Sequence, residues 1–516
     1  MNELDDYAIK KVAKGGFFIF ISILLSFLVF LFYKVLAARY LGPADYGTLT
    51  LGITILNIAS LFGLAGMHHS IGKFINHYLA TKQYNKVKGI FVLSFLITTI
   101  SSIVILSILY LSSNFLGKNI FKIEGLEIII RIFAIGVPFS VLTQLLKYHF
   151  FAFKKPEYVI ISESLSEKML NLIFLIFVIY ISASLYLLSW MYILSLAIST
   201  IVSILILRSI TYNIMKREVK PKFDFRNIIS FSLPLMLTGI LGVTIAWTDT
   251  IFIGILRSDV DVGIYNAAYI IASALMIFWL SFGDIFYPII SELYSKKAKN
   301  SIRKIFEVAS RWIFIITFPI FIIILTFSSA IISILFGQSY QEASAPLSIL
   351  AIGYFLITIF GLSEQGLRTF KKTKFLWTIT SLGFLINIVL NIILIFFYGI
   401  IGAAVATTFS ILFITLSKLF YFKRVLKFSY NKLLYFKFIS SSIIAFTIFF
   451  YSTKLLGSSN KYIFLLALIA YIILYLALLI IFKSFSDEDI KILEAIERKI
   501  GLEFVFVKNY LNKYGK

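Results

Sequence analysis

Cysteine is absent from the 516 residues, which excludes disulfides, thiolate metal sites and a cysteine nucleophile. Only 4 histidines are present, too few for a His-rich metal centre. Proline is scarce, at 8, and charged residues make up 14%. That pairing excludes a disordered chain. The shortage of charge also excludes an ordinary water-soluble domain, in which about a quarter of residues are charged. What the chain does have is apolar mass: 60% hydrophobic residues, 17% aromatic, and a mean hydropathy of +0.95. The net charge of +23 would suggest nucleic acid in a soluble protein. In so apolar a chain it reads as Lys and Arg gathered in loops on one side of a membrane, with no nucleic-acid partner.

A helix that crosses a bilayer needs about 20 apolar residues, and fourteen such stretches are readable. They begin near Phe17, Thr48, Gly89, Glu127, Tyr158, Leu187, Ile228, Ile264, Ala309, Ala343, Leu376, Ile401, Lys437 and Lys461. The runs are continuous, not alternating, which predicts an all-α polytopic protein and not a barrel. The first run is too long for a signal-peptide core and no small-residue cleavage site follows it. With the N-terminus in the cytoplasm, about 39 Lys/Arg fall inside and about 8 outside, with Lys168 in a span. Fourteen spans return the C-terminus to the cytoplasm, and the expected location is the cytoplasmic membrane. The tail from Ser486-Asp-Glu-Asp489 predicts a short amphipathic helix, resting on the membrane interface or docking a partner.

The chain also repeats itself at an offset near 217 residues. Ala134-Ile-Gly136 matches Ala351-Ile-Gly353, Phe153-Lys-Lys155 matches Phe370-Lys-Lys372, and Asp45-Tyr-Gly47 matches Asp261-Val-Gly263 one residue out of step. The copies cover spans 1–6 and 7–12. Six is even, so both copies enter the membrane in the same sense, and a parallel repeat about the membrane normal is expected. The predicted organisation is an N-lobe at 1–217, a C-lobe at 218–425, two extra helices at 426–482 and a cytoplasmic tail at 483–516. Two similar bundles can rock about a central cleft, which favours a transporter over a channel.

The loop Arg39-Tyr-Leu-Gly-Pro-Ala-Asp-Tyr-Gly47 ends the first span at Gly42-Pro43, and Asp259-Val-Asp-Val-Gly-Ile-Tyr265 is its weaker copy. Further along come Pro288 to Tyr294, Leu335-Phe-Gly-Gln-Ser-Tyr340, and Asn387 to Asn391 followed by Gly399-Ile-Ile-Gly-Ala-Ala404. In order and spacing these stretches resemble the polysaccharide flippases, the O-antigen and teichoic-acid exporters (Wzx-like) of the multidrug/oligosaccharidyl-lipid/polysaccharide (MOP) superfamily. The resemblance covers essentially the whole chain. It implies two six-helix lobes around a charged cavity. The implied act is moving an oligosaccharide on a polyprenyl phosphate or pyrophosphate from the inner to the outer leaflet, without cofactor or catalytic residues.

Ionisable groups within spans are costly and need a reason. Glu163, Glu167 and Asn171 stand at i, i+4, i+8 on the fifth span, with Lys168 beside them. They form either a cavity wall or a buried pair tying helices together. Asn387 and Asn391 are an uncharged i, i+4 pair in the repeat partner of that span, as sugar contacts or as packing hydrogen bonds. Asp249 could bind a proton or cation, or pair with Lys34 or Arg39 on the first span. Lys34 and Arg39 are either snorkelling anchors or, with Lys168, recognise the substrate phosphate. Glu163, Glu167 and Asp249 are then the gating or ion-coupling groups, with H⁺ or Na⁺ as the coupling cation, and Asn171, Asn387 and Asn391 the sugar contacts. Arg131, Arg257, Asp284, His68 and His69 read as interfacial. No metal centre is expected, and the partners are the lipid-linked oligosaccharide and membrane lipids around a monomer. The competing readings are a cation-coupled drug or metabolite antiporter of the same superfamily, a peptidoglycan-precursor flippase, and a membrane polysaccharide polymerase. The short loops, such as Asn114–Gly125, argue against the polymerase.

Overall fold

The computed structural model describes residues 3–155, 157–216, 219–428, 432–456, 461–482 and 484, and, from Ile23 onward, most of their side chains, those at 160, 163–165, 213–215, 233–235, 237–246, 284–285, 288 and 453–467 excepted. Among these residues the regular structure is entirely helical. This follows from runs of Leu, Ile and Phe in a medium without water, where each backbone N–H and C=O must be satisfied within its own segment. The first half contains α1 (Glu3–Gly63), α2 (Met67–Ser70), α3 (Asn76–Ala80), α4 (Tyr84–Asn114), α5 (Leu126–Ala152), α6 (Glu157–Val159), α7 (Met169–Tyr180) and α8 (Leu185–Met215). The second contains α9 (Phe225–Leu256), α10 (Asp259–Ser273), α11 (Met276–Ser295), α12 (Lys299–Thr326), α13 (Ser328–Leu335), α14 (Ser344–Phe360), α15 (Leu362–Thr369) and α16 (Thr373–Leu426). Then follow α17 (Lys432–Leu456) and α18 (Lys461–Ile481). The amphipathic tail expected from Ser486 onward lies outside the described residues.

Among the described residues, 8 helical segments are long and apolar enough to cross a membrane, or 9 if the bent pair α10–α11 is one span. The chain is a multi-pass membrane protein. Two of these segments are too long for one crossing: 41 residues at Ile23–Gly63 and 54 at Thr373–Leu426. At 1.5 Å per residue they would extend about 60 and 80 Å, against a hydrocarbon core of about 30 Å. Each is broken at a glycine with positive φ, Gly42 (φ 76, ψ 174) and Gly399 (φ 59, ψ −136). Across the second break the chain doubles back, since the Asn387 side chain reaches the Thr407 hydroxyl at 2.9 Å.

The reversals of the first half recur in the second. Lys82 and Lys297 are both left-handed (φ 55 and 57), as are Lys154 and Lys371 (58 and 57) and Ser182 and Gly399 (51 and 59), in pairs 215 to 217 residues apart. At the four lysines the next residue's N–H returns to a carbonyl one turn back, as in Lys155 N to Phe150 O and Lys372 N to Leu367 O, both 2.9 Å. This is the ordinary helix C-cap with lysine where glycine is usual.

The two halves meet where α1, past its break, crosses α10. A Cβ on Gly47 would lie 1.8 Å from the Asp259 carbonyl oxygen, and one on Gly263 would lie 2.1 Å from that of Pro43. The contact is reciprocal, residue for residue, as in a local two-fold crossing. Only glycine permits so close an approach. Tyr340 donates to Ala38 O (2.8 Å) and packs edge-on to Tyr46, adding to the same seam. Elsewhere, rings of Phe306, Phe422 and Phe428 fill the space between α12 and α16, and Tyr475 donates to Ile315 O at 3.0 Å, tying α18 to α12. Outward-facing residues such as Leu96, Ile100 and Ile103 are half exposed, as a lipid-facing surface requires.

Candidate functional site

Asp249, near the end of α9, is 1% exposed. Its carboxylate accepts from the Tyr265 hydroxyl on α10, from Asn391 Nδ2 at 2.8 Å and from Thr407 Oγ1, which lies 2.7 Å from both oxygens. Asn387 Nδ2 donates to Thr407 Oγ1 (2.9 Å), and Asn387 Oδ1 accepts from Asn391 (3.1 Å). The local fold explains the convergence. Asn391 and Thr407 lie eight residues either side of the Gly399 break, so a helical hairpin carries them to the same depth, about 12 Å from the turn. Asp249 and Tyr265 flank the α9–α10 turn at Arg257 in the same way.

The donors on Asp249 are all neutral; among the described residues none is Lys, Arg or His. The expected alternative pairing with Lys34 or Arg39 on the first span is therefore not formed. Asn391 Oδ1 is buried with no hydrogen-bond partner. The pocket thus combines one uncompensated carboxylate, an orphan acceptor and hydroxyl and amide oxygens. Such a carboxylate in a span suits a proton or a hard cation. Among the described residues no group of three or more His, Cys, Asp or Glu could hold a metal ion. Asn387 and Asn391, expected as sugar contacts, are both 0% exposed and turned onto this carboxylate.

Lys34 is 8% exposed, and among the described residues it makes no ion pair. Its ammonium sits 5.7 Å from the Phe30 ring and 5.4 Å from that of Tyr46, the latter brought near by the break at Gly42. The neighbouring Tyr33 hydroxyl is buried without a partner. Arg39 takes a different place: Nε donates to Leu335 O at 2.6 Å and Nη2 to Ile334 O, covering the end of α13. Arg257, 218 residues on, does the same to Ile395 O (2.9 Å) and Phe396 O (2.9 Å) just before the Gly399 break. Both guanidiniums satisfy carbonyls that a terminating helix leaves open.

On the fifth predicted span, Ile160–Lys168 is a π-helical stretch leading into α7. Wide turns of this kind favour functional sites. Glu167 and Lys168 are half-buried; the Glu163 side chain lies outside the described residues, as does that of Asp284. Asn171 is buried and accepts from Ser195 (2.5 Å), while Ser199 donates to Ser162 O (2.6 Å), so one face is a serine-rich seam against α8. Arg131 donates to Ser113 and Asn114, both 2.9 Å. The His68 and His69 rings are tilted against each other with centres 3.9 Å apart, and burial followed by that neighbour pushes the His68 pKa down to about 4. Nothing but position in the sequence marks Thr407 as a partner of Asp249, and Tyr265 stands out there only as the end of the second loop copy. The two lie opposite Asn391 and Asp249 across predicted turns.

A family model described as "Polysaccharide biosynthesis protein" matches residues 12–294, and one described as MatE matches 234–393. The chain is 30% identical over 192 residues to the probable low-salt glycan biosynthesis flippase Agl15 of Haloferax volcanii, covering 37% of this chain and 41% of that one. It is 25% identical over 394 residues to a putative O-antigen transporter of Shigella flexneri, covering 72% and 87%. Among solved structures, lipid II flippase MurJ in an inward closed conformation superposes with a TM-score of 0.71 at 18% identity, over 90% of this chain and 98% of that one. That likeness shows a shared fold.

Proposed function

Because this chain belongs to the polysaccharide biosynthesis protein family, we propose that it flips an oligosaccharide linked to a polyprenyl phosphate or pyrophosphate from the inner to the outer leaflet of the cytoplasmic membrane. The printed names of two relatives, a glycan biosynthesis flippase and an O-antigen transporter, support the substrate class. The observation that carries the mechanism is the reciprocal crossing at Gly47 and Gly263, where equivalent points of the two halves touch. Halves related in this way can rock, closing the cleft on one side while opening it on the other. The proposed architecture is fourteen spans: a lobe at 1–217, a second at 218–425, and two added helices before a tail from 483. Both termini are cytoplasmic in this reading, and the protein works as a monomer. The Lys-rich turns at 82, 154, 297, 371 and 427 support that orientation. The activity is transport, with no covalent step.

Lys34 is the proposed phosphate contact, a buried ammonium set against the rings of Phe30 and Tyr46, with no counter-charge among the described residues. Lys168 is a second contact along the path, with Glu163, Glu167 and Asn171 on the same stretch. Arg39 serves the outer seal in this conformation. Asp249, held by Tyr265, Thr407 and Asn391, is the coupling group for H⁺ or Na⁺, and Asn387 braces it. Lys34→Gln is expected to abolish surface glycan in cells while membrane levels stay normal; normal glycan would remove Lys34 from the phosphate path. Asp249→Asn is expected to remove the dependence of transport on Na⁺ or pH. A second reading, a cation-coupled antiporter, draws on the MatE match over the half that holds Asp249. Drug resistance conferred by the chain in a cell without its glycan pathway would favour it.

A further inference from the structure

On the Lys-rich side of the first half, a cleft of about 310 Å³ opens between α4, α5 and α8. Phe91, Phe95, Leu146, Ile204 and Leu207 line it together with Arg208 and Thr211. It rests on a small hydrophobic cluster, Leu146, Phe150 and Leu207, that is separate from the main core. The cleft is therefore a seam in the lobe's side and no part of the Asp249 or Lys34 surroundings. An apolar recess of this kind does not hold water, and in a bilayer hydrocarbon chains fill it.

Arg208 says what else the occupant carries. It stands near the end of an apolar helical segment, Leu185–Tyr212, that is longer than the hydrocarbon core needs. By helical rise it is about 10 Å from the end of α8 at Met215, and Phe91 is about as far from the start of α4 at Tyr84. That depth is just below the headgroups on the basic face. The side chain is exposed, and among the described residues the guanidinium has no hydrogen bond or ion pair. A guanidinium so placed matches a phosphate by two parallel hydrogen bonds, and basic pockets between spans on this side take anionic lipid heads.

We propose that the α4–α5–α8 cleft binds one anionic lipid of the basic-side leaflet, its chain against Phe95, Leu146 and Ile204 and its phosphate on Arg208. The lipid bridges α4 and α8 over α5, closing the seam between them. This assignment stands apart from the identity of the transported glycan.

The test uses the full chain purified in detergent, with native mass spectrometry and thermal unfolding in the presence of phosphatidylglycerol, phosphatidylcholine or inorganic phosphate. One phosphatidylglycerol is expected to stay bound under activation that strips phosphatidylcholine, and to raise the unfolding midpoint saturably. Arg208→Gln should lose that lipid and the shift. Ile204→Trp, which fills the cleft and leaves the cation, should lose them too. Lys374→Gln, an exposed cation in the other half, should keep both. Retention in Arg208→Gln, retention in Ile204→Trp, equal retention of phosphatidylcholine, or displacement of the lipid by inorganic phosphate alone would each overturn the proposal.

Discussion

Replacing Gly47 by alanine tests the crossing directly. The added carbon would lie 1.8 Å from the Asp259 carbonyl oxygen and 2.9 Å from the Gly263 nitrogen. Both are backbone atoms, so no side chain can swing away. An ordinary contact would require α1 and α10 to separate by about 1.6 Å at this point, and close-packed interiors do not absorb such a shift freely. Overpacking of this kind costs about 1–3 kcal/mol. The cost falls on the conformation in which this seam is shut, so at about 2 kcal/mol the balance shifts roughly 30-fold toward the state in which it is open. The absence of cysteine makes the assay clean. Thr50 is 3% exposed next to the seam, and Thr50→Cys reports opening by its rate of maleimide labelling. Labelling should accelerate by up to that factor in Gly47→Ala, and similarly in Gly263→Ala, whose new carbon meets Pro43 O at 2.1 Å. The double variant should fall short of the summed effects, because one separation relieves both contacts. Unchanged labelling in both single variants would refute the idea that the crossing belongs to one state of a rocking pair.

Thr407→Val keeps the shape but removes the hydroxyl that Asp249 accepts from, and should cost about 1.5–3 kcal/mol, read as a lower unfolding midpoint together with weaker stabilisation by Na⁺. Burial alone would raise the Glu364 carboxyl, but Lys418 at 2.8 Å and Arg368 outweigh it and hold it below the usual carboxylate range. A lowered carboxyl stabilises the fold above its unfolded value and loses that contribution as pH falls through its folded one. The wild type should therefore lose stability below about pH 4.5 in thermal scans, and Glu364→Gln should be less stable near neutrality but flatter across that window. Lys371→Gly and Lys154→Gly, at φ 57 and 58, should each raise the midpoint by removing about 1 kcal/mol of left-handed strain, whereas alanine at the same positions should not.

The apolar runs, the clusters of lysine and the offset near 217 are properties of the chain read along its length. They were enough for an all-helical multi-pass membrane protein, since a bilayer leaves the backbone no other way to satisfy itself. The i, i+4 pair Asn387 and Asn391 was also legible, because helical period alone puts both on one face. What that face meets was not. Asp249 is 142 residues away from Asn391, and only two hairpins folded to matching depth bring them to 2.8 Å. Arg39 shows the same limit from the other side: a cation near a span end suits a phosphate or a headgroup equally, and the orphan carbonyls of Ile334 and Leu335 that it covers exist only once α13 ends beside it. Period and composition act between neighbours in sequence and so are written there. Partner choice acts across hundreds of residues and depends on where breaks such as Gly42 and Gly399 turn the chain, which tertiary packing alone decided.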